Sequence, residues 1–195
     1  LIVIIAPPFL PFSEAEIDPL AFNMPPSAKH LLGGDDVGRD VLSRLLYGGR
    51  VSLAVGIFST AVSVIVGIPL GMLAAFYRGA FEVVVMRLSD IFMSFPSTIL
   101  ILFLVSMFGP SIITVTVVIG VLGWPKFARQ IYGSVLSIRE KDYIEGAVAI
   151  GAKDKLIITR YILPNAVAPI FISITFRIAS AIILESSLSF LGMGV

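Results

Sequence analysis

Cysteine is absent from the 195-residue sequence, which removes disulfides, thiolate catalysis and iron–sulfur ligation while leaving the compartment undecided. Charge is scarce: 14% of the residues are Asp, Glu, Lys or Arg, against roughly 25% in ordinary soluble domains. The net charge is +1 and no basic run occurs, so nothing here tracks a nucleic-acid backbone. Histidine occurs once, at His30, and one imidazole makes no metal site by itself. Gly-x4-Gly-Lys-Ser/Thr is missing, and the glycines and aspartates from Gly33 to Asp40 lack the alternating ligands and closing glutamate of a calcium loop, so a structured turn is expected there. No nucleophile–base pair or ligand cluster marks an enzyme. What the chain does have is apolar surface, 57% of its residues with a mean hydropathy of +1.00, the composition of a membrane protein.

Leu1 to Leu10 is apolar but shorter than the roughly 20 residues a bilayer core needs, and it has no basic flank of a signal peptide. It is expected to be the end of a membrane helix over 1–11. Prolines 7, 8, 11, 19, 25 and 26 then describe an extended, solvated connector, and Val41 to Tyr47 has the spacing of a short interfacial helix, within a region 12–50. From residue 51 the chain reads as a membrane core. Val51 to Tyr77 would extend about 40 Å as a helix, enough to cross. In it, Ser59, Ser63, Gly67, Gly71 and Ala75, followed by Gly79, recur every four residues. Such a ladder lets helix backbones approach closely in lipid, and its drift predicts contact with different neighbours along its length; Pro69 is a candidate kink.

Leu88 to Met107 forms the next apolar stretch, interrupted at Phe95-Pro96, with Asp90 near its start as a structural charge rather than an ion site. Ile112 to Gly123 returns, with Trp124, Lys126 and Arg129 as headgroup anchors. Asn165 to Leu191 is the last span. It contains Arg177 and Glu185, and a charge inside a span costs at least about 2.5–3.5 kcal/mol, which makes both candidates for a translocation path or a structural role. Arg177 can face water, a partner subunit or backbone carbonyls of its own bundle.

Between these spans, residues 137–164 are polar and rich in small side chains. Ser137-Ile138-Arg139-Glu140 has the form of a capping box, so a helix is expected to begin near Ser137, with Gly151 as its stop. A second short helix, Asp154 to Leu163, runs up to Pro164. The segment is either a plain loop between spans or a docking element. Assigning loops alternately to two sides gives nine cations (Arg78, Arg87, Lys126, Arg129, Arg139, Lys141, Lys153, Lys155, Arg160) against four (Lys29, Arg39, Arg44, Arg50), which places Glu145 and its neighbours in the cytoplasm.

Glu145, Gly146, Ala147, Gly151, Leu163 and Pro164 fall at the spacing of the EAA motif, which resembles the membrane subunits of ABC importers. Gly146 stands for the usual alanine and Tyr161 for an aliphatic residue. His30 to Leu53 and Glu185 to Val195 are similar to the dipeptide/oligopeptide/nickel permease subfamily, although Leu31 replaces a common proline and Gly34 a common threonine. The resemblance implies an all-α polytopic bundle of the type I ABC importer permease kind, as a fragment lacking most of the first and all of the last membrane helix. It implies a multi-pass protein of a prokaryotic inner membrane that moves peptides or nickel chelates. It further implies a second permease subunit as heterodimer partner, two ATP-binding subunits and an extracytoplasmic substrate-binding protein. ATP would be bound by those partners and no cofactor by this chain, with the EAA residues as the coupling contact. The alternative is an ion-coupled secondary transporter using Asp90, Arg177 and Glu185, for which uptake driven by an ion gradient without ATPase subunits would be the sign.

Overall fold

Residues 2–194 are described by the computed structural model, and contacts divide the chain into two units, 1–54 and 55–195. The first unit buries few apolar side chains, Ala21 and Leu46 among them, and is stapled by polar groups instead. After a short helix α1 (Ile2–Ile5), two 3-10 turns, Pro7–Phe9 and Pro19–Ala21, carry the prolines. Three aspartates accept backbone amides: Asp18 from Leu20 at 3.0 Å, Asp35 from Val37 and Arg39 at 2.9 Å each, and Asp40 from Ser43 at 2.8 Å. His30 is buried, stacked on Phe12 with ring centroids 4.6 Å apart, its Nδ1 3.0 Å from Asp40. The side-chain hydrogen bond from Lys29 and the Leu20 amide lower the Asp18 pKa to about 2. The Arg39 amide holds the Asp35 carboxyl well below the usual carboxylate range. At Asp40 burial opposes ionisation, but the Ser43 amide and His30 outweigh it and the pKa is lowered.

Helix α2 (Val41–Tyr77, 37 residues) joins the expected interfacial helix and the first span into one element, with Pro69 inside it. Beyond it follow α3 (Gly79–Ser94), α4 (Ser97–Phe108), α5 (Ile112–Arg139), α6 (Asp142–Ala149), α7 (Asp154–Leu156), a π-helical segment Ile157–Ile162, and α8 (Leu163–Phe190). Among the described residues, three stretches are long and apolar enough to cross a membrane: Val41–Tyr77, Ile112–Arg139 and Asp154–Phe190. The expected span over 88–107 is a bent pair, α3 and α4 meeting at 86°. Proline explains the corner: Pro96 offers no amide to α3 and disfavours helix at Phe95, which is extended.

Within 55–195, α2 and α5 run side by side in the same direction. Ser63 donates to the Gly120 carbonyl at 2.7 Å, and a Cβ at Gly67 or Gly71 would run into the backbone at Trp124 and Ala128. The small-residue ladder from Ser59 to Gly71 therefore stays on one neighbour instead of winding past several. A ridge of residues four apart is inclined by about 26° to the helix axis, so a partner crossing along that ridge remains over it. Arg177 of α8 reaches Ile119 while Ile162 packs near Ile131 and Val135, which makes α8 antiparallel to α5.

Trp124 is buried rather than an interfacial anchor. Its ring meets Phe92 of α3 edge-on at 5.9 Å, over Ala74, Val85 and Ala128. Since α5 continues to Arg139, Trp124, Lys126 and Arg129 lie near its middle, not at its end.

Candidate functional site

The polar segment expected to couple the bundle to a partner is rooted in the main core. Ala75, Phe127, Ile131 and Val135 pack with Ile144 of α6, Ile157 and Ile162 of the π segment, and Ile170 of α8. Burying an isoleucine such as Ile144 contributes about 1.5–3 kcal/mol, so α6 is fixed at its base by its inner face. Ile144 and Ala147 are that face; Glu145 and Gly146 point outward.

No helix begins at Ser137. It lies inside α5, and Glu140 is the C-cap of that helix. A capping box requires an extended first residue, whereas Ile131 and Val135 carry the buried face of α5 through this point. Helix α6 starts instead after Lys141, with Asp142 and Glu145 placing negative charge at its N-terminal end. Its stop is as expected: Gly151 has φ +79°, its amide donates to Val148 at 2.9 Å, and the Ala152 amide donates to Ala147 at 3.0 Å. These two bonds form a Schellman motif, which needs a left-handed residue at that place.

Tight closure leaves apolar side chains outside. Val148 is 59% and Ile150 86% exposed, with Tyr143 and Leu156 also exposed nearby in sequence. The second helix does not stop at Pro164. Residues 154–190 form one continuous apolar rod in which the π segment, with its wider turn, precedes Leu163 and Pro164. Proline withholds an amide and presses on the carbonyl four residues back; a widened turn relieves both, and the Asn165 side chain donates to the Tyr161 carbonyl at 2.7 Å.

Arg139 was not singled out as a site residue by sequence, yet it ties this region to α2. Its guanidinium donates to the carbonyls of Phe76 at 2.7 Å and Ala75 at 3.4 Å, the unsatisfied end of that helix, and lies over the Phe76 ring at 5.6 Å. A basic residue in a helix's last turn was the available signal.

The three charges considered for a path are held separately. Asp90 of α3 pairs with Arg129 of α5 and lies 3.9 Å from Arg87. Close by, Tyr132 of α5 donates to Glu82 of α3. Arg177 donates to the Ile119 carbonyl at 2.8 Å. Glu185 is buried and accepts from Ser189 at 2.8 Å. A cavity of about 280 Å³ lies between α5 and α8, lined by Lys126, Gln130, Ser173, Phe176, Arg177 and Ser180 among others.

Comparison with known proteins agrees with this architecture. The chain is 41% identical over 172 residues to the glutathione transport system permease protein GsiD of Pectobacterium atrosepticum, covering 88% of this chain and 57% of that protein. It is 39% identical over 194 residues to the dipeptide transport system permease protein DppC of Alkalihalophilus pseudofirmus, covering 100% and 64% respectively. The chain thus spans about three fifths of the length of these relatives. The fold matches a chain of the MetNI methionine ABC transporter, solved in inward-facing conformations, with a TM-score of 0.64 at 22% identity over 74% of this chain and 72% of that one. The model of one family matches residues 67–195, most of the chain, and the protein belongs to that family, the binding-protein-dependent transport system inner membrane components.

Proposed function

We propose that this chain is the membrane-spanning permease subunit of an ATP-driven peptide importer, and that α6 with its Gly151 turn is the element through which separate ATPase subunits move it. The observation that carries the reading is a short helix anchored by Ile144 and Ala147 yet displaying Val148 and Ile150 to solvent beside Glu145. An exposed apolar tip on a rigid root is a docking knob, because burying it against a groove is favourable and its motion is transmitted to what it is rooted in. Leu163 and Pro164, behind the π segment, set the direction in which α8 leaves that root.

Partners follow from the same reading. The chain carries no Walker A sequence, so two ATP-binding subunits supply the hydrolysis, a second permease completes the bundle, and an extracytoplasmic protein delivers the cargo. Relatives named for glutathione and dipeptide transport favour peptides over nickel chelates. Charge favours a cytoplasmic α6 in a prokaryotic inner membrane: Arg78, Arg139, Lys141, Lys153, Lys155 and Arg160 lie in or beside the connections at its end of the helices, even after Arg87, Lys126 and Arg129 are removed from the count because they lie well inside α3 and α5. ATP-driven closure of the ATPase pair then rocks the docked helices and switches the bundle between two packings.

The test is Gly151→Val in the full-length protein within its assembled complex. A β-branched residue at φ +79° costs about 1–2 kcal/mol or more and opens the turn, although open space surrounds the position. Membrane insertion should be normal and peptide-stimulated ATP hydrolysis lost; full stimulation would overturn the coupling role.

A further inference from the structure

The cavity between α5 and α8 holds two cations with no acid to match them. Lys126 and Arg177 line it together, each near the midpoint of its helix, and no ion pair to either exists among the described residues. Uncompensated charge at that depth is expensive, and two like charges on one wall raise the cost. Of the guanidinium donors, Nη2 is satisfied by the Ile119 carbonyl, while Nε is buried with no partner. The guanidinium is also held in place. A Cβ at Gly123 would collide with its Nη2 and with the Ser63 hydroxyl, so glycine there admits the charged head and packs it against α5. Gln130, Ser173 and Ser180 add polar groups to the same wall, and Phe176 an apolar side.

We infer that Arg177 and Lys126 form an anion niche that takes the terminal carboxylate of a peptide on its way through the membrane. A carboxylate suits this pair, since one oxygen can accept from Nη1, the guanidinium nitrogen that is neither bonded nor buried, while the Lys126 ammonium takes the other oxygen and cancels remaining charge. The volume of about 280 Å³ sits at the small end of ligand pockets, which suits an end group rather than a whole peptide. Selectivity then comes from the common feature of all peptides, a free C-terminus, and the side chains stay unread. The inference rests on the peptide-importer reading for its ligand.

These 195 residues contribute no competing thiol, and any cysteine elsewhere in the full-length protein or its partners is first replaced by serine. Ser173→Cys in the full-length protein, assembled with its partners in phosphatidylcholine vesicles, is labelled with an anionic sulfonatoethyl or a cationic trimethylammonioethyl methanethiosulfonate. The anionic reagent should react at least about tenfold faster, the factor worth 1.4 kcal/mol of local potential. Dialanine should slow it and dialanine amide should not. Adding Arg177→Gln should erase the rate ratio and the protection; Lys126→Gln, at an exposed side chain, should lower both several-fold and serves if the arginine variant fails to assemble. Equal rates for the two reagents, or equal protection by acid and amide, overturn the niche. Labelling needs no ATP, so its failure is distinct from failure of the importer reading, which is absence of ATP-driven peptide uptake by the wild-type complex.

Discussion

Small residues in this bundle do different jobs that only their neighbours distinguish. Gly71 exists because α5 passes where its side chain would be, against the Ala128 carbonyl and Ile131. Ser63, two turns earlier, fills its space and ties the same pair of helices through the Gly120 carbonyl. The two should respond differently to alanine. Ser63→Ala removes one hydrogen bond, worth about 1 kcal/mol, without forcing the helices apart. Gly71→Ala adds only one methyl, yet it overpacks a backbone contact and should cost about 1–3 kcal/mol. Thermal unfolding of the detergent-solubilised complex should therefore rank wild type above Ser63→Ala and Ser63→Ala above Gly71→Ala; the reverse order for the two variants would mean that α2 and α5 are not in close backbone contact.

Among the elements, α3 and α5 are joined by polar groups as well as by Trp124 and Phe92. Asp90 with Arg129, and Glu82 with Tyr132, bridge them. A double-mutant cycle isolates the first pair: Asp90→Asn and Arg129→Gln should each destabilise, and the double variant should recover about 0.2–1 kcal/mol of the summed loss, the range for a pair that is part-exposed. Strict additivity would show that the two charges act on different partners.

These contacts also explain how much could be read in advance. Phe95-Pro96 was legible as a break, though not as a corner, because a missing amide acts locally, and Gly151 as a stop because a left-handed turn is a property of one residue. The capping box at Ser137 misled because a local rule yields where Ile131 and Val135 already commit α5 to its buried face. Trp124 was read as a headgroup anchor from its residue type, although Phe92, Ala74 and Val85 had a place for it in the core. The π segment was not legible: the β-branched residues of Ile157 to Ile162 signal weak helix propensity but no particular turn, and the wider turn belongs to Pro164, which follows it.

At the scale of the molecule, helix directions within 55–195 constrain the topology more firmly than loop charge does. Helices α2 and α5 run parallel, so the chain between them must return along the full length of the pair, and α3 with α4 provide that return despite their 86° bend. Helix α8 is antiparallel to α5, so Arg78 and residues 140–153 share one end while Gly109 to Ser111 lies at the other. Arg139, bonded to the last carbonyls of α2, brings the first two of these together directly. Single cysteines at Pro110 and Lys153, both exposed in a stretch of 195 residues without native thiols, with any cysteine elsewhere in the full-length protein replaced by serine, put this to a test with a membrane-impermeant maleimide. In intact cells Pro110→Cys should label and Lys153→Cys should not; in inverted vesicles the pattern should reverse. Labelling of both from one side would mean that the bent pair dips into the membrane and returns to the side it came from; labelling of Lys153→Cys in intact cells would break the proposed link between α6 and a cytoplasmic motor.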